Sequence, residues 1–231
     1  MSGKDVSINT ADGTFAGYLA MPGTANGAGI VVIQEIFGVN GFVRAVADSY
    51  AARGYFALAP DLFWRIEPGV QLTDKTKEEW DQAFALMNKF DIDLGIKDIQ
   101  AAIDHLRGEE KCTRVGAVGY CLGGQLAYLT AARTDVDATV GYYGINIQKK
   151  LDEAANIRKP LLLHIPEKDQ FVPAPAQRQI IDGLRGNPHL TIYTYPEMNH
   201  AFARVGGEHY DQANAELANG RTATFFRQHL S

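Results

Sequence analysis

The stretch GYCLGG (119–124) places a cysteine between glycines where the apolar run RVGAVGY (114–120) gives way to the helix-like QLAYLTAAR (125–133). This order matches the nucleophile elbow G-x-C-x-G, with sulfur in place of the usual serine oxygen. Glycines are required there because a Cβ atom close to the strained nucleophile would collide with it. Cys121 would begin the helix, whose dipole lowers the pKa of a thiol from about 8.5. The Leu122 N–H would point at the oxygen of a bound acyl group.

Other interpretations of Cys121 remain open at this point. A free cysteine is most often a small buried hydrophobic residue. A peroxide-sensing thiol is a second alternative, although Cys112, the only other cysteine, does not lie in the position of a resolving partner. A dinucleotide-binding loop is excluded because the glycine spacing is not G-x-G-x-x-G.

Strands and helices alternate on both sides of the elbow. A β-hairpin is predicted over 5–22, around the turn Asp12-Gly13. Further strands are predicted at 28–35, 55–61, 114–120, 138–144, 160–166 and 190–196, and helices at 41–54, 76–90, 91–108, 121–133, 173–186 and 210–230. Continuous apolar strands that alternate with helices indicate a mostly parallel sheet covered on both faces. The predicted fold class is α/β, a three-layer α/β/α sandwich with an N-terminal antiparallel hairpin.

Length and composition fit one globular domain over residues 1–231, with 46% hydrophobic residues and a net charge of −5. The mild acidity and the lack of a Lys/Arg cluster argue against nucleic-acid binding. The N-terminus lacks a signal-peptide core, and the apolar runs are too short to span a membrane. We therefore expect a cytoplasmic monomer with free thiols and no membrane or nucleic-acid partner.

An elbow nucleophile predicts an acid and then a histidine further along the chain, each on a loop that follows a strand. Asp169 lies just past the strand at 160–166, and His200 lies just past the strand at 190–196. In this arrangement His200 would take the thiol proton, while Asp169 would orient the imidazole ring and stabilise its cation. The expected chemistry is acyl transfer to sulfur followed by hydrolysis of the thioester.

The motifs QEIFGVN (34–40), GYFALAPDLF (54–63), GYCLGG (119–124) and NHAFAR (199–204) resemble those of the dienelactone hydrolase family. The resemblance covers nearly the whole chain and implies an α/β-hydrolase fold with Cys121, Asp169 and His200 as the triad. It further implies hydrolysis of a small lactone or carboxylic ester. Two alternatives stay open: a general carboxylesterase that does not act on dienelactone, and a non-catalytic protein that only binds a ligand.

The resemblance also implies roles for two residues in the motif 34–40. Glu35 corresponds to the family's acidic partner of the cysteine, beside which the resting thiol stays protonated until substrate binding moves it. A poorly solvated carboxylate can exchange a proton with a thiol in this way. Ile36 would supply a second oxyanion N–H beside that of Leu122. The alternative for Glu35 is a salt bridge that ties down the neighbouring loop.

Four residues are implied as substrate-binding. Arg204 matches a family arginine that binds the substrate carboxylate, a task suited to two parallel hydrogen bonds. Trp80 and Phe84 stand where the family carries a second arginine and a tyrosine, so that wall of the pocket is expected to be more apolar. Phe37 is expected to join them. No metal-ligand cluster or phosphate loop is recognisable, and we expect no cofactor.

Overall fold

The computed structural model describes residues 3–231, whose strands form one eight-stranded sheet. The strands are β1 (Lys4–Thr10), β2 (Gly13–Ala20), β3 (Ala28–Ile33), β4 (Phe56–Pro60), β5 (Arg114–Tyr120), β6 (Ala138–Tyr142), β7 (Leu161–Pro166) and β8 (Leu190–Tyr195). Their order across the sheet is β1-β2-β4-β3-β5-β6-β7-β8. Strand β2 pairs antiparallel with β1 and β4, and all other pairs are parallel. The prediction of a mostly parallel sheet with an N-terminal antiparallel hairpin is confirmed.

Helices cover both faces of this sheet. They are α1 (Gly41–Ala51), α2 (Lys77–Lys89), α3 (Ile92–Gly108), α4 (Leu122–Arg133), α5 (Ala174–Leu184) and α6 (Gln212–Leu230). On one face a Cβ atom added to Gly116 of β5 would meet Phe226 of α6, whereas on the other face one added to Gly29 of β3 would meet Leu106 of α3. The molecule is therefore a three-layer α/β/α sandwich, as the alternation of strands and helices predicts.

The predicted element boundaries differ from the structure mainly at the carboxyl ends of strands. The strand predicted to reach residue 144 ends at Tyr142, because Tyr143 turns away with φ 38°. Residues Ile147–Asn156 form 3₁₀ turns that the sequence pattern did not reveal, introduced by Asn146 in the left-handed conformation at φ 56°. Such short turns have no extended apolar repeat by which a helix could be recognised.

The junction between β5 and α4 depends on very close backbone contacts. A Cβ atom on Gly119 would lie 1.9 Å from the carbonyl oxygen of Gly123. One on Gly123 would lie 2.5 Å from the carbonyl oxygen of Ile33, and one on Gly124 would lie 2.6 Å from that of Tyr142. Glycine is the residue that permits such approach. The first turn of α4 is therefore pressed against the carboxyl ends of β3 and β6.

A buried hydrogen-bonded network supports the sheet beside this junction. The Tyr142 hydroxyl lies 2.6 Å from Thr222 Oγ1, which lies 2.9 Å from His164 Nε2, and His164 Nδ1 lies 2.7 Å from the Tyr195 hydroxyl. Burial lowers the pKa of His164 to about 3, so its ring is neutral. The ring of Tyr142 stacks on that of Tyr120 at 4.8 Å between centroids. The network thus fixes the residue that precedes Cys121.

Across residues 3–231, none of the helices combines the length and the apolar character needed to cross a bilayer.

Two glycines within helices provide a matched test of the junction. Gly124→Ala should destabilise the protein by about 1–3 kcal/mol or more, because the new methyl group would overlap backbone atoms that have no room to move. Gly220→Ala in α6 meets open space and should stabilise the protein by about 0.5–1 kcal/mol through its helix propensity. Urea unfolding of both variants measures these changes. Equal effects of the two substitutions would contradict the close contacts at Gly124.

Candidate active site

Cys121 lies at the sharp turn between β5 and α4, with φ 56° and ψ −114°. A non-glycine residue in this region is strained, and such strain persists only when the surrounding packing holds the turn in place. The cysteine occupies the N-cap position of α4, yet no side chain caps this helix, whereas Asn40 and Asp211 cap α1 and α6. The first amide groups of α4 are therefore left without a side-chain acceptor.

Two backbone donors flank the cysteine as expected for an oxyanion site. Neither the N–H of Leu122 nor that of Ile36 donates a hydrogen bond to another residue in the described part of the chain. The close approach of Gly123 to the carbonyl oxygens of Ile33 and Gln34 brings the start of α4 against the segment that carries Ile36. The arrangement offers two unpaired donors to an oxygen atom of a bound ligand.

Asp169 and His200 lie on the loops after β7 and β8 and contact each other. His200 Nδ1 is 2.9 Å from Asp169 Oδ2 and 3.1 Å from Oδ1. Asp169 Oδ1 also accepts hydrogen bonds from the backbone N–H groups of Phe171 and Val172, at 2.8 and 3.2 Å. The carboxylate is therefore fixed before it orients the imidazole ring. Asn199 adds a further tie, because its side-chain oxygen accepts from the N–H of His200 at 2.7 Å.

The other ring nitrogen, His200 Nε2, is buried and has no hydrogen-bond partner among residues 3–231. Burial lowers the pKa of His200, but the interactions with Cys121 and Asp169 outweigh burial and raise it to about 10. Attraction to neighbouring anions stabilises the protonated ring. The site is thus suited to an imidazolium cation beside a cysteine sulfur.

Cys121 and His200 open into one narrow cavity of about 50 Å³. The side chains around it are otherwise mostly apolar: Ile36, Phe37, Trp80, Phe84, Met87, Ile145 and Phe171, together with Arg204. The structure therefore brings every residue expected at the substrate site to one place. Trp80 packs edge-on against Phe37 at 5.0 Å and lies 5.5 Å from Phe84, so that these three rings form an aromatic wall.

Glu35 and Arg204, predicted to have separate roles, bind each other. Arg204 Nη1 donates to Glu35 Oε2 at 2.9 Å; the side chain of Glu35 is buried and that of Arg204 is 12% exposed. The second oxygen, Glu35 Oε1, is buried without a partner among the described residues. Arg204 Nη2 lies 3.0 Å from Asp74 Oδ2, so one guanidinium joins two carboxylates. The salt-bridge alternative for Glu35 is thus realised, while one of its oxygens remains available to the site.

Sequence reasoning missed two residues of this site. Asp74 lies on an irregular loop before α2 and belongs to no motif, so only the folded chain reveals its contact with Arg204. Tyr143 follows the carboxyl end of β6, where parallel-sheet proteins place functional groups, and this position could have identified it. Its ring packs against His200 at 5.0 Å, and its buried hydroxyl has no partner in the described chain.

A larger groove of about 400 Å³ lies elsewhere, between α1 and α6. It contains none of the residues expected to be catalytic, although Tyr120 and Ala203 border it. Within residues 3–231, no group of three or more His, Cys, Asp or Glu side chains is arranged to hold a metal ion. The cavity at Cys121 is therefore the candidate active site.

Comparison with known proteins agrees with this geometry. Residues 15–230 match the family described as the dienelactone hydrolase family. The chain is 52% identical to a provisionally named carboxymethylenebutenolidase of Azospirillum brasilense, over 98% of this chain and 99% of that protein. It is 40% identical to a carboxymethylenebutenolidase of Pseudomonas putida, over 96% of this chain and 95% of that protein.

A solved structure has the same fold. It belongs to a provisionally named dienelactone hydrolase of Klebsiella pneumoniae, with a TM-score of 0.87, 26% sequence identity and coverage of 98% of both chains. The expectation of an α/β-hydrolase fold is confirmed by this similarity and by the mixed sheet.

The buried ion pair supplies a testable consequence for stability. Arg204→Met should destabilise the protein by about 3–5 kcal/mol, because it leaves the carboxylate of Glu35, which is 1% exposed, without a compensating charge. Adding Glu35→Gln to that variant should restore a large part of the loss, since no buried charge then remains at that position. Urea unfolding of the single and double variants measures both effects. A double variant as unstable as Arg204→Met alone would show that the pair is not coupled.

Proposed function

The chain belongs to the dienelactone hydrolase family, and from this premise we propose that it cleaves a small lactone or carboxylic ester through a Cys121–His200–Asp169 triad. The observation that carries the proposal is the convergence of three strand ends at one cavity. Cys121 follows β5 at a strained turn, and His200 follows β8 at 2.9 Å from Asp169, which follows β7. Cys121 and His200 line the same cavity.

The first half of the reaction forms a thioester. The sulfur of Cys121, once deprotonated, attacks the carbonyl carbon, and the resulting oxyanion accepts hydrogen bonds from the N–H groups of Leu122 and Ile36. As the C–O bond breaks, the leaving oxygen takes a proton from His200. In a lactone this oxygen stays attached to the acyl chain as a hydroxyl group. The unpaired donors at Leu122 and Ile36 support this step.

The second half hydrolyses the thioester. His200 removes a proton from water, which restores its own charge, and the hydroxide attacks the same carbonyl carbon. The C–S bond then breaks and releases the carboxylic acid and the Cys121 thiolate, which regains its proton from Glu35, the proposed acceptor of the thiol proton. Asp169 stabilises the imidazolium at each stage, a role supported by its contact with His200 Nδ1 at 2.9 Å and by its two backbone hydrogen bonds. The reaction needs no group beyond water and the residues of this chain.

Glu35 is proposed to accept the thiol proton before attack. One of its oxygens remains on Arg204 at 2.9 Å, while Oε1 is buried without a partner among the described residues and so offers a site for the proton. Cys121 and Arg204 border one cavity, so the proton donor and the arginine-bound carboxylate lie in the same region of the molecule.

The cavity supports a small acyl group with an apolar body. The aromatic wall of Phe37, Trp80 and Phe84 would contact such a group, and among the described residues Arg204 is the only arginine or lysine that borders the cavity. The family resemblance assigns Arg204 to a substrate carboxylate, as a dienelactone would have. A general carboxylesterase is the second candidate, favoured by the apolar lining and by the existing partners of Arg204.

The nucleophile is tested by substitution of each cysteine in turn. Cys121→Ala should abolish hydrolysis of aryl esters and lactones while the far-ultraviolet circular dichroism stays that of the wild type. Cys112→Ala is the matched control, because Cys112 is buried outside the cavity and burial raises its pKa to about 11. Initial rates of hydrolysis, measured spectrophotometrically, compare the two variants with the wild type.

The intermediate gives an independent check. Rapid quenching of the wild type with substrate should yield an acyl adduct on the peptide that contains Cys121, detectable by mass spectrometry. Wild-type rates in Cys121→Ala, or an adduct elsewhere in the chain, would contradict the assignment. Ligand binding without any adduct or turnover would instead favour the non-catalytic alternative.

The proposed proton transfer is tested by Glu35→Gln, which keeps the shape of the side chain but removes its basic oxygen. Single-turnover acylation should slow by about 10²–10⁴-fold, the usual contribution of a general base, while the substrate dissociation constant changes far less. Stopped-flow measurement of the released alcohol separates the two quantities. An unchanged single-turnover rate would remove Glu35 from the chemistry.

A further inference from the structure

Arg204 is held by two carboxylates from different parts of the chain. Its Nη1 bonds to Glu35 Oε2 at 2.9 Å, and its Nη2 lies 3.0 Å from Asp74 Oδ2. The side chains of Arg204 and Asp74 are only 12% and 11% exposed, so water competes little for this contact. Asp74 has no assigned role in the proposed reaction, yet its carboxylate lies beside the atom of Arg204 that a carboxylate ligand would need to contact.

Two carboxylates crowd the guanidinium of Arg204 where an incoming carboxylate would bind. A guanidinium binds a carboxylate best through two parallel N–H groups on one edge, and both such edges include Nη2. The carboxylate of Asp74 lies 3.0 Å from that atom, so an incoming carboxylate would have to share it with a second anion. The remaining donor, Nε, is buried without a partner in the described chain, but Gly207 covers it, because a Cβ atom there would lie 2.9 Å away.

The loop that carries Asp74 is fixed from both ends. Before it, the N–H of Leu72 donates to the carbonyl oxygen of Phe37 at 2.9 Å, and Asn40 Nδ2 donates to that of Leu72 at 2.9 Å. After it, the indole N–H of Trp80 donates to the carbonyl oxygen of Asp74 at 3.1 Å. The carboxylate is therefore held beside Arg204 by the same segments that form the aromatic wall.

The charge balance of this cluster disfavours an additional anion. One guanidinium is shared by Glu35 and Asp74, so an incoming carboxylate meets an excess of negative charge unless it displaces one of them. Lys75 Nζ lies 3.4 Å from Asp74 Oδ1, but its side chain is 61% exposed and its attraction is screened by solvent. The rest of the cavity beside Arg204 is apolar or aromatic apart from the reacting residues.

We propose that Asp74 is a specificity-determining residue that makes the cavity select uncharged acyl groups over those that carry a carboxylate. The inference rests on the proposed function, because it concerns the acyl group transferred to Cys121. It names the preferred substrate class: neutral esters and lactones with a small apolar acyl portion. Asp74 acts as an internal carboxylate that competes with an anionic substrate for Arg204.

The test compares two 4-nitrophenyl esters that share the same six-carbon acyl chain. Mono-4-nitrophenyl adipate is anionic, and its methyl ester is neutral. The wild type should have the higher kcat/KM for the neutral ester. Asp74→Asn should raise the ratio of anionic to neutral kcat/KM by about tenfold or more, because it removes the negative charge that competes with the substrate carboxylate for Arg204. Asp74→Glu retains the competing charge and should keep the ratio low.

A matched control removes the same charge from a site that does not touch Arg204. Asp81 on α2 is 63% exposed and pairs with Lys77. Asp81→Asn should leave the ratio within about twofold of the wild type, since an exposed charge is screened. The background rate of Cys121→Ala is subtracted throughout.

Three outcomes would overturn the inference: a wild type that prefers the anionic ester, a ratio unchanged by Asp74→Asn, or an equal rise in Asp81→Asn. A purely structural role for Asp74 would change both kcat/KM values by the same factor and leave their ratio constant. The wild-type ratio decides the question even if Asp74→Asn fails to fold. A wild type that cleaves neither ester and forms no adduct at Cys121 would overturn the proposed function itself.

Discussion

The close backbone packing at the start of α4 is the constraint on which the site depends. Gly119, Gly123 and Gly124 allow the end of β5 and the first turn of α4 to approach the carbonyl oxygens of β3 and β6 more closely than any side chain would permit. This packing holds Cys121 at a positive φ, and the N–H groups of Leu122 and Ile36 have no acceptor within the described chain. The proposed reaction uses these two donors, one of which lies at the uncapped start of α4, to bind the oxyanion.

Two pairs of oppositely charged side chains fix the groups around the cavity. The Asp169–His200 pair is buried and the Glu35–Arg204 pair is largely buried, and both keep polar atoms without a partner in the described chain: His200 Nε2 in the first pair, and Glu35 Oε1 and Arg204 Nε in the second. An unpaired buried polar atom is costly unless function uses it. Two of these atoms belong to residues that we propose to carry protons, with Glu35 taking one from the sulfur and His200 giving one to the leaving oxygen.

The sequence predicted the parts of the site that depend on chain order. Positions after strand ends identified Asp169 and His200, because parallel strands place their carboxyl ends on one edge of the sheet. The pairing of Glu35 with Arg204 could not be predicted, since 168 residues lie between them and nothing in either motif refers to the other. Asp74 was missed for the same reason. A loop aspartate belongs to no periodic pattern, and its contact with Arg204 exists only in the folded chain.

The neutral His164 in the core makes the sheet sensitive to acid. With its pKa lowered to about 3 by burial, the folded protein resists protonating this ring, whereas the unfolded chain takes up the proton below about pH 6.5. The part of the free energy of unfolding that depends on a neutral His164 is fully present above that pH. It decreases by up to about 1.4 kcal/mol per pH unit as the pH falls towards 3. Because the same network supports the residue before Cys121, acidification would weaken the support of the turn at Cys121 together with the sheet.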